Sequence, residues 1–168
     1  LRDVIQTSYA PLYSSAVHNR FVHSLGVYHL GKLAAESFIL SLREKTENLY
    51  GISDYKTTFE LACLLHDVGH APFSHTGENF YLEKGDRIKL HEELIRLTND
   101  PYLEKEISDN SYKAAPHELM SAIVSLNVFS TIIPDSMKSF FARCIIGYKY
   151  TLDMDIFKSC ENCFIELL

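Results

Sequence analysis

The sequence predicts an all-α fold, a bundle of roughly six or more helices in one domain spanning residues 1–168. Three observations carry this. Apolar residues recur at helical spacing over several long stretches. No alternating apolar and polar run of useful strand length interrupts them, and no internal repeat or low-complexity segment is present. Gly, Pro, Asn and Asp stand between the stretches, where helices stop and restart.

Taken in order, Asn19 to about Asn48 reads as one helix, with Val22, Leu25, His29, Leu33, Phe38, Leu40 and Leu42 near helical register and His29 read as core. Gly51 stands where its C-terminal cap belongs. Ser53 or Asp54 can cap a second helix, in which Phe59, Ala62, Cys63 and His66 share one face, so that this helix delivers His66 to the interior. Gly69, tolerant of a left-handed turn, and Pro72, without an amide hydrogen, end it. Residues 84–116 are mostly polar and broken by Gly85, Asn99, Pro101, Asn110 and Pro116; they read as a mobile surface insertion with a short helix near Leu90 to Leu97. The charge run from Glu83 to Lys89 reads as a solvated loop. Helical pattern returns at His117 to Phe129 and at Asp135 to Gly147, each preceded by a proline, and a last helix begins near Asp153.

Composition narrows the function classes. Hydrophobic residues make up 46% and charged residues 23%, the balance of a soluble globular domain. No apolar run is long enough to span a bilayer and no signal segment opens the chain, so the expected location is cytoplasmic with no membrane partner. Asp and Glu number 22 against 16 Lys and Arg, a net charge of -6 that argues against stable nucleic-acid binding. A phosphate-bearing substrate therefore needs a locally positive pocket. Four cysteines are too few for a disulfide scaffold; Cys160-x-x-Cys163 has metal-ligand spacing but no second pair and reads as two half-buried helical cysteines. Tyr148 and Tyr150 read as packing. Leu1 is not a start methionine and the chain stops inside an apolar pattern, so a fragment truncated at both ends is expected.

The chemistry-bearing residues lie on two segments. His23 sits on the first helix and the adjacent pair His66-Asp67 ends the second. Neutral imidazole nitrogens with a carboxylate suit a divalent ion such as Zn, Fe or Mn. Adjacent helical residues point about 100 degrees apart, so His66 and Asp67 can share an ion only where the helix ends or where the ion lies over its axis. Arg20 lies three residues before His23, on the same face, where a guanidinium could clamp phosphate beside the ion. An aspartate in an apolar helix is almost never fully buried unless paired, which favours a site over plain packing.

The strings His18-Asn19-Arg20-Phe21-x-His23-Ser24-Leu25-Gly26 and His66-Asp67-x-Gly-His70-x-Pro-Phe-Ser-His75 resemble the HD-domain phosphohydrolases, and within them the deoxynucleoside triphosphate triphosphohydrolase branch. The resemblance runs from about Gln6 to the C-terminus and is close over residues 18–31 and 60–80. It implies an HD-domain helical bundle, a divalent metal (Zn, Fe, Mn or Mg), hydrolysis of a dNTP to deoxynucleoside and tripolyphosphate, and a homo-oligomer.

By the same resemblance, His23, His66 and Asp67 match three metal ligands, Arg20 a phosphate-contacting arginine and Gln6 a glutamine of the nucleotide pocket. His70, His75 and Glu78 match the cluster beside the metal, with His75 as proton donor to the leaving 5' oxygen. His117-Glu118-Leu119-Met120-Ser121 is similar to a later His-Glu-x-x-Ser segment; His91-Glu92 is a rival, with Ile95 where the serine belongs. Val22 replaces a usual acidic residue and Ser14-Ser15 a usual Pro-Gly turn. The fourth ligand, an aspartate in an Asp-x-Asp-Lys-x-Asp-Tyr segment, has no match; Asp153 and Asp155 precede the last helix, so this ligand is expected beyond Leu168. The segment alone is accordingly expected to bind metal loosely and to show weak or no activity. Two alternatives stay open: an HD-type phosphodiesterase or nucleotidase acting on a cyclic dinucleotide, ppGpp or a 5'-nucleotide, and a non-catalytic nucleotide-sensing protein.

Overall fold

A computed structural model describes residues 2–6, 17–44, 51–71, 77–78, 86–109, 114–152 and 154–168. Among them are seven α-helices: α1 (Arg20–Arg43), α2 (Ile52–Leu65), α3 (Asp86–Thr98), α4 (Pro101–Asp109), α5 (Pro116–Val128), α6 (Lys138–Ile146, entered through a short 3-10 turn) and α7 (Ile156–Leu167). Among the described residues no strand forms, only one isolated antiparallel bridge between Ile5 and Asn19. The all-α expectation holds. Among the described residues no helix is long and apolar enough to cross a membrane.

Local chemistry sets most of the boundaries. Asn19 accepts the Val22 amide at 2.9 Å and starts α1; Asp155 accepts the Lys158 amide at 2.7 Å and starts α7. Asp100 accepts the Tyr102 and Leu103 amides at 2.9 and 3.2 Å, just ahead of Pro101, and starts α4. Gly147 closes α6 in the left-handed region at φ 69. Gly51 is also left-handed, but it stands at the N-cap of α2 and not as the cap of α1; neither Ser53 nor Asp54 caps α2, since both lie inside its first turn.

The packing face of α1 differs from the apolar stripe read in sequence. Val22, Leu25 and Leu33 are exposed, as is His29, which therefore is not core. The buried face carries Arg20, Ser24, Gly31, Ala35 and Ile39. Small residues let α1 approach α2 closely: a Cβ on Gly31 would stand 2.4 Å from Cys63 Sγ. Opposite it, α2 buries Phe59, Ala62 and Cys63 completely, as their spacing predicts. Phe164 of α7 is the hub of the aromatic core, meeting Phe38, Phe59 and Phe140 at centroid distances of 5.0, 5.4 and 6.1 Å. Each such fully buried aromatic contributes about 1.5–3 kcal/mol from burial.

Residues 84–116 are not merely a surface insertion. Their described part forms α3 and α4, which place Leu94, Leu103 and Ile107 in the core, and Asp86 to Lys89 begin α3 rather than a loop. The sparse apolar residues of this stretch are concentrated on one face of each helix, a pattern that overall polarity conceals. Cys160 is half-buried and Cys163 exposed. Tyr148 and Tyr150 are buried in the packed interior, as expected.

Candidate functional site

The site forms where α2 stops. His66 is the last residue in helical conformation, at φ -55 and ψ -25, and the chain then turns. This lets consecutive residues face one point. Asp67 is 4% exposed and collects the surrounding polar groups. Arg20 Nη1 donates to Asp67 Oδ2 at 2.5 Å and His70 Nε2 lies 2.9 Å from Asp67 Oδ1. Gln6 Nε2 reaches Oδ2 at 3.4 Å. Gln6 is held there because its own amide donates to the His18 carbonyl and the Arg20 amide donates to that of Val4. The Nε2 atoms of His23 and His66 stand 4.0 and 3.9 Å from the carboxylate.

His23, His66 and Asp67 each present one ligand atom within 4.8 Å of the others. The His66 Nδ1 lies 2.9 Å from the Cys63 carbonyl. A carbonyl only accepts, so Nδ1 carries a hydrogen and Nε2 is the ring atom that faces Asp67, the orientation seen in metal-ligating histidines. Two imidazoles and one carboxylate are a donor set that fits a divalent ion. The His23 and His66 side chains are 31% and 21% exposed, so this edge opens to water.

Electrostatics agree with that reading. Burial by itself raises the Asp67 carboxyl, but the His70 hydrogen bond and the charges of His70, His66 and Arg20 outweigh it and hold the group well below the usual carboxylate range. Burial lowers the His23 imidazole; the neighbouring charges of His66, His18 and Arg20 lower it further against the opposing pull of Asp67. The site therefore keeps an ionised carboxylate beside a neutral imidazole, the protonation states a metal requires.

Beyond Asp67 the cluster continues. The two ring nitrogens of His70 face Asp67 and Glu78, the latter at 3.3 Å. His117 Nδ1 lies 3.0 Å from Glu78, and the His70 and His117 rings stack at 3.9 Å with 14° between planes. Asp67, His70 and His117 thus form a second group of ligand atoms within 4.8 Å, sharing Asp67 with the first. It is His117, on α5, that stands beside His70; among the described residues His91 belongs to neither group. Glu118 accepts the Ala115 amide at 2.6 Å and so fastens the start of α5. His75 lies outside the described residues.

Gly69 has a different reason for being glycine than turn geometry. It is not among the glycines of positive φ, which are Gly51 and Gly147. A Cβ there would meet the Ser121 amide nitrogen at 2.2 Å. The turn lies directly on the backbone of α5. A cavity of about 380 Å³ borders His66, His117 and Glu118, with Val27, Ile145, Ile146 and Ile165 among its apolar walls. Those wall residues were missed in sequence; the only signal was the apolar end of α6 before Gly147.

Comparison with known proteins follows this geometry. The HD domain family model matches residues 20–139, from Arg20 to the start of α6. The deoxyguanosinetriphosphate triphosphohydrolases of Klebsiella pneumoniae (strain 342) and Cronobacter sakazakii are 37% and 36% identical over 70 residues. That of Enterobacter sp. (strain 638) is 34% identical over the same length. Each alignment takes in 39% of this chain and 14% of the relative. No solved structure matches significantly. With seven-tenths of its length matched by the family model and His23, His66 and Asp67 brought together in space, the chain belongs to the HD domain family.

Proposed function

We propose that this chain carries the working part of a metal-dependent phosphohydrolase that cleaves a deoxynucleoside triphosphate to deoxynucleoside and tripolyphosphate. The observation that carries it is the convergence of Arg20, His23, His66 and His70 on the buried Asp67. The deoxyguanosinetriphosphate triphosphohydrolases among its relatives support the substrate class.

His23, His66 and Asp67 would hold the ion, which when bound supplies Lewis-acid polarisation of a phosphoryl oxygen and a more acidic water. Arg20 pairs with Asp67 and lies on the His23 face, within reach of phosphate oxygens arriving beside that carboxylate. Gln6 fixes the same carboxylate from the N-terminal side. His70 would hold the ionised Asp67 through one ring nitrogen and exchange a proton with Glu78 at the other, and His117 shares Glu78 with it. His75 would give the proton to the leaving 5' oxygen, and Glu118 keeps His117 in place through the start of α5. A nucleotide is the expected partner, in a homo-oligomer.

The test is a substrate panel on the purified full-length protein with Mn or Mg, with tripolyphosphate read by ion chromatography and deoxynucleoside by reversed-phase separation. Release of both from a dNTP in equal amounts is expected. Hydrolysis of a cyclic dinucleotide, ppGpp or a 5'-nucleotide without tripolyphosphate from any dNTP would replace the substrate assignment. Nucleotide binding without turnover would replace the enzyme by a sensor.

A further inference from the structure

We propose that Ser121 is a positioning residue of this site: its hydroxyl fixes the turn that carries His66, Asp67 and His70 against the helix that carries His117. The proposal deepens the phosphohydrolase reading and rests on it for the claim that these histidines are the working groups.

Ser121 is 0% exposed, and its Oγ accepts the Gly69 amide at 2.9 Å. Gly69 immediately precedes His70, and Ser121 lies four residues after His117 on one face of α5. The missing Cβ of Gly69 brings the two backbones together, with Ser121 Cα 2.7 Å and Met120 C 2.5 Å from where that carbon would be. Close approach alone fixes separation; the hydrogen bond adds a direction and stops the turn from sliding along the helix axis. The stack of His70 on His117 at 3.9 Å, and their common partner Glu78, lie one helical turn from this contact. A slide of an ångström would separate the rings. Removal of the hydroxyl leaves a buried amide without its acceptor, so the turn must move to find another.

α5 supplies its own control. Ser125, one turn further along the same face, is equally buried, and its hydroxyl finds no partner among the described residues. Ser125→Ala removes the same atom from an equally buried position that makes no such bond, so it separates loss of the Gly69 contact from loss of a buried hydroxyl as such.

The experiment compares the two variants with the parent protein by NMR of the histidine ring protons at fixed pH without metal, and by calorimetric titration with Mn. Ser121→Ala is expected to displace the His70 and His117 ring signals as their mutual ring currents change, and to weaken Mn binding by about tenfold or more. Ser125→Ala is expected to leave both within twofold or within line width of the parent. If Ser121→Ala does not fold, Ser121→Cys, with a weaker acceptor of similar size, is expected to give a smaller displacement in the same direction. Parent-like ring signals in a folded Ser121 variant, or equal displacement by Ser125→Ala, would overturn the proposal. The ring signals do not depend on turnover, so a protein inactive on every nucleotide would remove the phosphohydrolase reading while leaving this measurement decisive.

Discussion

Asp67 and Asp100 are both buried aspartates held by an arginine, yet their surroundings differ in what they leave available. Around Asp100 the network is closed. Arg143 is 0% exposed; its Nε and Nη2 donate to Asp100 at 3.0 and 2.9 Å, and its Nη1 meets Glu106 at 2.5 Å and the Tyr148 carbonyl at 3.2 Å. Ser139 also donates to Asp100, the Tyr150 ring covers the guanidinium at 3.9 Å, and Glu106 accepts the Thr151 amide at 2.7 Å. Every direction around that arginine is filled by protein, and the result is a tie between α4 and α6. Around Asp67 the second row is made of histidines on an edge open to water. A buried charge enclosed by partners specifies structure, whereas a buried charge with partly exposed imidazole nitrogens along one edge can exchange partners with a ligand.

The contrast is sharpest at the two aspartates and their arginines. Asp67→Asn is expected to reduce turnover and Mn affinity by more than about 100-fold, beyond what outer-sphere changes cost. Calorimetry and a turnover assay on the same preparation check both halves. Next in size, Arg143→Met leaves Asp100 and Glu106 buried without their counter-charge and is expected to cost about 3–5 kcal/mol in urea unfolding. If that variant unfolds at parental urea concentration, the closed network is not a structural tie.

His117→Ala is expected to lower kcat by about 100-fold, while His91→Ala, at a residue outside both donor groups, leaves kcat within about threefold. Equal effects would dissolve the assignment of His117 to the site. The smallest effect is a pH dependence in the closed region. Burial raises Glu161 above its ordinary 4.5, opposed by hydrogen bonds from Tyr55 and Tyr150. A raised folded-state value means that the contribution to stability is complete below the unfolded value and drains away as pH rises through the folded one. Glu161→Gln does not titrate, so its midpoint relative to the parent is expected to climb as pH rises from the ordinary carboxylate value of 4.5 through the raised folded-state value. A constant difference across that range would place Glu161 in water in the folded state.

The legible parts of this molecule were those in which spacing alone carries the physics. Phe59, Ala62, Cys63 and His66 predicted one face of α2, and the adjacency of His66 and Asp67 allowed either a helix end or an ion over the helix axis, of which the helix end forms. Less legible was α1, where the large apolar residues Val22, Leu25 and Leu33 point outward and the packed face is built from Ser24, Gly31 and Ala35. Hydrophobicity weighs side-chain size, but a close helix crossing selects for its absence. Gly69 was read as a turn residue when its role is to admit the backbone of α5, a contact 52 residues away in sequence that no local pattern encodes. The helices of residues 86–109 were concealed by their polar majority. Their anchor, Asp100 to Arg143, spans 43 residues and depends on burial that only the fold creates.

The most direct test of the account is the position of a bound ion. Crystals of the protein grown or soaked with Mn, measured near the manganese absorption edge, are predicted to give one anomalous peak about 2.0–2.3 Å from His23 Nε2, His66 Nε2 and a carboxylate oxygen of Asp67. A peak held by other residues, or none there at saturating Mn, would contradict it.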